Sequence, residues 1–217
     1  MIKINDYVKG DVFNYFSQID SNSVDLVFTS PPDISQTDFG KNTENYQKFQ
    51  EKAVNEMCRL VKDNGFIVIC QTDRKINAEV LCNHHTYLTS ILNNGLTLKD
   101  YKIVVRNEIG KKDMYHFTFQ HMLVCTRKGT FKRHGEFLKD ILIDKQEMVH
   151  NQSVWSQDFC KLVIENLTKE NDLVVDPFCG VAPVLKAAKD LNRNYWGCEI
   201  SEDYYTPEVL CQVSLLQ

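Results

Sequence analysis

Leu173-Val174-Val175-Asp176-Pro177-Phe178-Cys179-Gly180 carries a short apolar run into an acidic residue, a proline and a glycine. The apolar run has the length of a buried strand, and the helical spacing of residues 183–191 follows it. A second apolar run, residues 195–198, then ends in Glu199. A strand, a turn, a helix and a second strand in this order predict two parallel strands joined by a crossover helix, the unit of an α/β fold.

The same alternation continues through the rest of the chain. Short runs rich in Val, Ile, Phe and Tyr predict strands at residues 2–4, 24–29, 66–70, 101–105, 119–126, 173–175 and 195–198. Helical spacing predicts helices at residues 46–61, 76–92, 159–167 and 183–191. Residues 101–126 hold two strands without a helical pattern between them, which favours an antiparallel edge hairpin. We therefore predict one α/β domain over residues 1–217, with a mostly parallel seven-stranded sheet and helices on both of its faces.

The composition is typical of a globular protein. Hydrophobic residues make up 43 % of the 217, which is enough for a sizeable core in one domain. No apolar run approaches the roughly 20 residues of a membrane helix, and residues 1–6 lack the apolar segment of a secretory signal. The eight cysteines show no Cys-x-x-Cys spacing, so we predict reduced thiols and a cytoplasmic location.

The stretch Cys82-Asn83-His84-His85 is rich in residue types that bind metals. No other segment shows ligands at the spacing of a metal site. We interpret the stretch as part of a surface helix and predict no metal.

The charge is unevenly distributed along the chain. The net charge is −4, but residues 99–134 contain nine Lys or Arg and three acidic residues, so this basic segment carries +6 and the remainder −10. A basic segment on an acidic body suits contact with phosphate groups, and a pair of solvated strands is the alternative interpretation. The candidate contacts are Arg106, Lys111, Lys112, Arg127, Lys128, Lys132 and Arg133.

A proline pair follows the strand predicted at residues 24–29. Ser30-Pro31-Pro32-Asp33 is stiffened by its prolines, which also remove two backbone donors. What remains is a rigid loop of carbonyl oxygens and one hydroxyl that accepts hydrogen bonds from the two protons of an amine. Fixed acceptors of this kind activate an aromatic amine, whose nitrogen lone pair is otherwise delocalised into the ring. A purely structural turn is the alternative interpretation.

Thr29-Ser30-Pro31-Pro32 resembles the catalytic motif of the DNA amino-methyltransferases, in which Asp, Asn or Ser precedes Pro-Pro and an aromatic residue. Gly10-Asp11 and residues 23–27, 59–65 and 119–124 resemble segments that flank this motif in the family. The proline pair precedes residues 173–199, which is the order of the permuted members of the family. The resemblance implies a Rossmann-like S-adenosylmethionine methyltransferase fold, with ligands at the carboxyl ends of its strands.

Residues 173–199 resemble the S-adenosylmethionine site of the same family. The family pattern Asp-Pro-Phe-x-Gly-Ser-Gly-Thr matches as far as Gly180, and Val181-Ala182-Pro183 replaces its last three positions. The resemblance implies that Glu199 binds both ribose hydroxyls and that the following helix N-terminus binds the carboxylate of the cofactor. The candidate cofactor residues are Asp11, Thr29, Ser30, Asp176, Pro177, Phe178, Gly180 and Glu199.

Two alternatives remain for this block. One is a dinucleotide site, although the Gly-x-Gly-x-x-Gly spacing is absent, and the other is a purely structural turn. Trp155 or Phe159 is a candidate to pack on the adenine ring, with ordinary core packing as the alternative for either.

The implied catalytic residues are Ser30, Pro31, Pro32 and Asp33, and the implied transfer is direct, without a metal or a covalent enzyme intermediate. Asp33 departs from the family, whose aromatic residue stacks on the base after it leaves the duplex. Its carboxylate is expected to accept a hydrogen bond from the base, to lie near the sulfonium, or to mark weak or lost catalysis. Phe39 or Tyr46 is the candidate for the missing ring, so Phe39 joins the candidate DNA-binding residues.

The resemblance implies methylation of an exocyclic amine in DNA, as in restriction-modification, with S-adenosylmethionine as cofactor and DNA as partner. Ser30 favours N4 of cytosine over N6 of adenine. Residues 130–152 are the spare length for target recognition, and a homodimer or a second subunit is the other route to it. The alternatives are a cofactor- or DNA-binding partner subunit with little activity, and methyl transfer to RNA or to a protein amide.

Overall fold

The computed structural model describes residues 2–76, 78–106, 117–131, 134–149 and 152–210. Its strands are β1 (Asp6–Lys9), β2 (Val24–Thr29), β3 (Val61–Gln71), β4 (Arg74–Ile76), β5 (Glu79–Leu81), β6 (Thr97–Arg106), β7 (Phe119–Thr126), β8 (Ile141–Asp144), β9 (Glu147–Val149), β10 (Gln152–Val154), β11 (Leu173–Asp176) and β12 (Asn194–Glu199). Its α-helices are α1 (Thr43–Leu60), α2 (Asn83–Asn93), α3 (Gln157–Leu167) and α4 (Pro183–Asp190). Short 3₁₀ helices lie at Val12–Asn14, Phe16–Gln18, Ile34–Gln36, Gly135–Leu138 and Pro207–Leu210.

Eight strands form the main sheet, in the order β1-β12-β11-β2-β3-β7-β6-β8. The first five run parallel, β7 is antiparallel to both of its neighbours, and β8 is parallel to β6. The predicted Rossmann-like fold, with a mostly parallel sheet and an antiparallel part, is confirmed. The sheet has eight strands rather than seven, because residues 141–144 of the predicted recognition segment pair with β6 at its edge.

Helices cover both faces of the sheet, as predicted. Along β2 the side chains alternate: Leu26 and Phe28 belong to one buried cluster with residues of α3 and α4, and Val27 belongs to another with residues of α1 and α2. This alternation follows from the two-residue period of a strand. Two buried cores therefore hold the central strands rigidly, and with them the loops at their ends.

Two predicted elements lie elsewhere. The helix predicted at residues 76–92 begins only at Asn83, because β4 and β5 form a hairpin before it and Ala78 adopts a left-handed conformation with φ 67°. The strand predicted at residues 2–4 lies at Asp6–Lys9, where it pairs with β12. Apolar spacing alone did not separate a short exposed hairpin from the start of a helix.

The direction in which successive strands are added to the sheet reverses between β2 and β11. From β2 it continues to β3 on one side, and from β11 it continues to β12 on the other. In open α/β sheets such a switch point leaves a crevice outside the carboxyl ends of the strands. Ser30 and Asp176 stand at this crevice, directly after and at the end of these two strands.

Among the described residues, no helix is long and apolar enough to cross a membrane. The seven cysteines in this part of the chain are unpaired, and six of them are buried.

Candidate functional site

A cavity of about 1090 Å³ opens at the carboxyl ends of the parallel strands. Its wall contains both strand ends that the sequence singled out, residues 30–33 after β2 (the Pro-Pro corner) and residues 176–180 after β11 (the Asp-Pro-Phe corner). Asp11 and Glu199 complete the set, so every predicted cofactor residue lines the cavity except Thr29, which is fully buried. The volume is at the upper end of the roughly 300–1,000 Å³ of small-molecule sites. The cavity therefore has room for a nucleoside-sized ligand with a second planar group beside it.

Glu199 is half-buried at the end of β12, with its carboxylate held by backbone donors. Gly180 N–H donates to Oε2 at 2.8 Å, and Ser201 N–H donates to Oε1 at 2.7 Å. Each oxygen keeps lone-pair capacity for a hydroxyl donor. Gly180 itself has φ 53°, which is in the left-handed region, and no atom lies within 4 Å of the position that a Cβ would take. The loop therefore leaves open space beside Gly180.

Asp176 is buried at the end of β11. Its Oδ1 accepts a hydrogen bond from Phe178 N–H at 3.1 Å. Burial raises the pKa of Asp176 to about 7, because desolvation disfavours the charged form. The Asp-Pro-Phe corner therefore carries a carboxyl group with a pKa near neutrality.

Ala182 closes the Asp-Pro-Phe corner. It is the N-cap of α4 with φ 59°, in the left-handed region, and its N–H donates to Cys179 O at 2.9 Å. The family pattern has glycine at this position, and an alanine in this conformation costs about 1–2 kcal/mol. Ala182 therefore keeps the backbone conformation that glycine would adopt, but with added backbone strain.

Side chains from other elements fix the Pro-Pro corner. The Pro31 carbonyl accepts a hydrogen bond from Gln71 Nε2 at 2.9 Å, and the Pro32 carbonyl accepts one from Tyr46 Oη at 2.9 Å. Gln71 and Tyr46 are both buried. One lone pair of each carbonyl is used in this way, and the other remains for a ligand.

Asp33 directs its carboxylate into the protein, where the side chain is only 4 % exposed. Oδ1 accepts hydrogen bonds from the N–H and the hydroxyl of Ser35, both at 3.0 Å, and Oδ2 is paired with Arg74 Nε. Gln36 Oε1 accepts the Asp33 N–H in return, which completes a capping box for Ile34–Gln36. The carboxylate is committed to its own loop and to Arg74.

The two rings proposed to replace the missing aromatic residue occupy different environments. Tyr46 is fully buried beneath the Pro-Pro corner and is absent from the cavity wall. Phe39 lines the cavity, half-buried, with its ring centroid 5.8 Å from that of Phe49. Phe39 is therefore the candidate that a ligand in the cavity can contact.

Several wall residues were missed by the sequence analysis. Gln71, Thr72 and Arg74 lie on the wall directly after β3 or at its end, and Phe49 and Lys52 project from α1. The rule that informative residues follow each strand, applied to β3 as it was to β2 and β11, would have found the first three. The residues on α1 carried no signal of this kind.

The structure separates the basic segment into two places. Arg106 ends β6 at the cavity wall, where its guanidinium donates to Thr72 Oγ1. Arg127 and Lys128 follow the antiparallel β7 to the opposite edge of the sheet, where Arg127 donates to Cys58 O at 2.9 Å and Lys128 pairs with Asp63. The sequence predicted a single basic face, and this prediction is wrong for Arg106, Arg127 and Lys128. The other four basic candidates lie outside the described residues: Lys111, Lys112, Lys132 and Arg133.

Of the two residues predicted to pack on the adenine ring, Trp155 lines the cavity and Phe159 does not. Trp155 is on the cavity wall, stacked on Phe28 with ring centroids 4.9 Å apart, and its Nε1 donates to Gln120 Oε1 at 2.9 Å. Phe159 is buried in the core and does not line the cavity.

Comparison with known proteins assigns the chain to a family. The model of the DNA methylase family N6_N4_Mtase matches residues 24–158 and 144–209, which is most of the chain. The chain belongs to this family of S-adenosylmethionine-dependent DNA methyltransferases, as the resemblance of its motifs predicted.

Individual relatives agree with this assignment. The type II methyltransferase M.BglII of Bacillus subtilis is 25 % identical over 93 % of this chain, which spans 67 % of that relative. The cytosine-N4-specific PvuII DNA methyltransferase has a similar fold, with a TM-score of 0.83 at 14 % identity, covering 97 % of this chain and 87 % of that one. A putative DNA modification methylase of Thermus thermophilus, complexed with S-adenosyl-L-methionine, gives a TM-score of 0.74 at 18 % identity, covering 94 % and 90 %.

Proposed function

We propose that this chain transfers a methyl group from S-adenosylmethionine to the exocyclic amine of a base in DNA, with N4 of cytosine favoured over N6 of adenine. One observation carries the proposal: the Pro-Pro corner and the Asp-Pro-Phe corner line the same cavity. An amine held at the first corner can then approach a methyl donor held at the second.

The Asp-Pro-Phe corner and Glu199 fit the cofactor. Glu199 offers two partly occupied carboxylate oxygens to ribose hydroxyls, Phe178 offers an aromatic face, and Gly180 leaves the loop open. Asp11, at the end of the neighbouring β1, adds a carboxylate that also caps Val12–Asn14. When bound, S-adenosylmethionine supplies an electrophilic methyl group on its sulfonium.

The Pro-Pro corner orients and activates the amine. Ser30 Oγ and the free lone pair of the Pro31 carbonyl accept hydrogen bonds from the two amine protons, which directs the nitrogen lone pair toward the methyl carbon. S-adenosylmethionine would supply the methyl group and keep the electron pair of the broken sulfur–carbon bond, while Ser30 and Pro31 would hold the amine nitrogen and one of its protons would leave to solvent. Gln71 keeps the Pro31 carbonyl in place throughout, so little reorganisation accompanies the transfer.

The target base needs a planar partner in the cavity. Phe39 supplies a ring, and Arg74 supplies a guanidinium held by Asp33, with 37 % of its side chain exposed. A guanidinium plane stacks on aromatic faces and carries positive charge toward phosphate. We assign Asp33 to the positioning of Arg74, and Arg106 and Lys52 to the positive side of the cavity wall.

One observation favours a second candidate, a partner subunit with little activity of its own. Asp33 stands where the family has an aromatic residue, and its carboxylate is committed to Ser35 and Arg74. If neither Phe39 nor Arg74 holds the base, the cavity binds cofactor without transfer. A second subunit or a second copy of the chain would then complete target recognition.

An incubation with labelled S-adenosylmethionine tests both candidates. Unmethylated DNA, RNA and an unrelated protein are supplied in parallel, and the digested products are separated. We expect label in N4-methylcytosine from DNA, and at least a tenfold lower rate for Ser30→Ala. Ser17→Ala is the matched control, because Ser17 is exposed and lies off the cavity wall.

The other outcomes are distinct. Label in N6-methyladenine corrects the base, and label only in RNA or protein corrects the substrate. Cofactor binding with no label in any product contradicts the enzyme and supports the partner subunit.

A further inference from the structure

Three metal-binding side chains from separate segments meet beside the Pro-Pro corner, outside the cavity wall. Asp73 follows β3, His84 lies in the first turn of α2, and His121 lies in β7. One ligand atom from each lies within 4.8 Å of the other two. Among the described residues this is the one such group of His, Cys, Asp and Glu side chains.

The carboxylate of Asp73 lies at the edges of the two imidazoles, within reach of one ring nitrogen of each. His84 Nδ1 is 2.8 Å and 2.9 Å from the two carboxylate oxygens, and His121 Nε2 is 3.4 Å from Oδ2. Neighbouring ligands around a tetrahedral Zn²⁺ with bonds of about 2.0–2.1 Å are about 3.3 Å apart. The His121 Nε2–Asp73 Oδ2 separation matches this value, and the His84 Nδ1–Asp73 separations are about 0.4–0.5 Å shorter, as in a hydrogen bond.

The surroundings fix these side chains in advance. Asp73 and His121 are buried, and His84 is half-buried. The Tyr101 hydroxyl is hydrogen-bonded to His121 Nδ1, which leaves Nε2 directed at Asp73. An outer partner on the second ring nitrogen is the usual feature of a histidine that binds a metal.

The two imidazoles stack closely, with ring centroids 3.8 Å apart and an angle of 20° between planes.

We propose that Asp73, His84 and His121 bind one divalent transition metal ion of the Zn²⁺ type. Two imidazoles and a carboxylate are ligands that suit Zn²⁺ rather than Mg²⁺ or Ca²⁺, and three protein ligands leave a fourth position to water. The spacing of the ligands along the chain, 11 residues and then 37, is why sequence spacing predicted no metal.

The position gives the ion a structural role in the site. Asp73 lies between Thr72, which contacts Arg106, and Arg74, which is paired with Asp33. An ion on Asp73 ties the loop after β3 to α2 and β7, and so fixes the residues that line one side of the cavity.

The test is binding of Zn²⁺ to the full chain after treatment with a chelator, followed by competition with a chromophoric chelator. We expect one ion per chain, and at least a tenfold loss of affinity in His84→Gln and in His121→Gln. His85→Gln is the matched control, because His85 is the next residue of α2 and is exposed. Cys82→Ser is the second control, since Cys82 is the one exposed cysteine among those described.

The Co²⁺ form of the unaltered chain gives a readout that does not depend on the folding of any variant. Tetrahedral nitrogen and oxygen ligands predict visible d–d bands without a thiolate charge-transfer band. The proposal is overturned by a thiolate band, by absence of binding at micromolar Zn²⁺, or by equal affinity in the His84→Gln, His121→Gln and unaltered chains.

Discussion

The two corners of the cavity differ in how tightly their backbone is packed. The Pro-Pro corner is held by side chains that come from distant positions, Gln71 on Pro31 and Tyr46 on Pro32, 40 and 14 residues away. The Asp-Pro-Phe corner is held by tight packing against β12 and by hydrogen bonds that join Gly180 to the side chains of Glu199 and Tyr7. The Cys179 N–H donates to Cys198 O at 3.0 Å, and Gly197 leaves no room for a side chain beside Cys179.

This difference separates two consequences of mutation. Side-chain hydrogen bonds to the Pro-Pro corner can be removed while the strands keep their packing, so the effect falls on catalysis. Changes at the Asp-Pro-Phe corner alter the fit between β11, α4 and β12, so the effect falls first on stability. Three predictions, from the largest expected effect to the smallest, test this division.

Gly197→Ala should have the largest effect. A Cβ at Gly197 would lie 2.1 Å from Cys179 Sγ and 2.9 Å from Asp176 O. The sulfur and the backbone carbonyl cannot both move away far enough to relieve these contacts. We expect a loss of about 3 kcal/mol or more in the free energy of unfolding, because overpacking of this kind forces strands apart. Denaturant unfolding followed by circular dichroism measures it.

Gly40→Ala is the control for this change. Gly40 has φ 58° but nothing within 4 Å of its Cβ position, so it loses only the roughly 1 kcal/mol of left-handed strain. Equal losses in the two variants would contradict tight packing at Gly197.

Gln71→Leu should act on the other corner. It removes the donor to the Pro31 carbonyl and puts an apolar side chain of similar size in the place of the amide. We expect kcat for methyl transfer to fall at least tenfold, which is about 1.4 kcal/mol, while the Kd of S-adenosylmethionine changes less than twofold. Gln47→Leu, the same change at an exposed position of α1, should leave both constants unchanged. A parallel loss of cofactor affinity in Gln71→Leu would show that the corners are not separable.

Asp176→Asn should alter how stability depends on pH. The native pKa of Asp176 is raised to about 7 by burial, above its unfolded value of roughly 3.9. The native state therefore holds the proton over this window, so the stability it contributes is present at low pH and is lost as pH rises toward 7. We expect the unaltered chain to lose roughly 1 kcal/mol more than Asp176→Asn between about pH 5 and about pH 6.

Unfolding midpoints at the two pH values check this prediction. Asp20→Asn, at an exposed carboxylate, should follow the unaltered chain. If Asp176→Asn follows it as well, the carboxyl group is charged throughout and the Asp-Pro-Phe corner has no proton-linked stability.

The sequence predicted the parts of this molecule in which local order determines position. Residues after a strand in a parallel sheet must reach one edge, so Ser30, Asp176 and Glu199 could be brought to a common rim without coordinates. The helix that begins at Pro183 could be predicted because proline fits the first turn of a helix. These inferences need only the direction of strands and the geometry of helix ends.

Other features depend on side-chain directions, which the spacing of residues along the sequence does not determine. The pairing of Asp33 with Arg74 spans 41 residues, and it turns a carboxylate expected in the cavity into the protein. The basic segment was predicted as one face, but β7 is antiparallel and carries Arg127 and Lys128 to the far edge. The role of residues 130–152 in target recognition stays a prediction, although part of that segment completes the sheet as β8.

Of the strands that the structure describes, the first in the sequence lies beside the last. Tyr7 of β1 is in register with Gly197 of β12, and the Tyr7 hydroxyl donates to the Gly180 carbonyl. The sheet therefore has a seam where its two ends in the sequence meet in space. A gene that encoded β1 directly after β12 and started at a different surface loop would give the same strand neighbours and the same cavity. Which of the two motifs is translated first is thus a matter of genetic history, and the chemistry of the assembled site is indifferent to it.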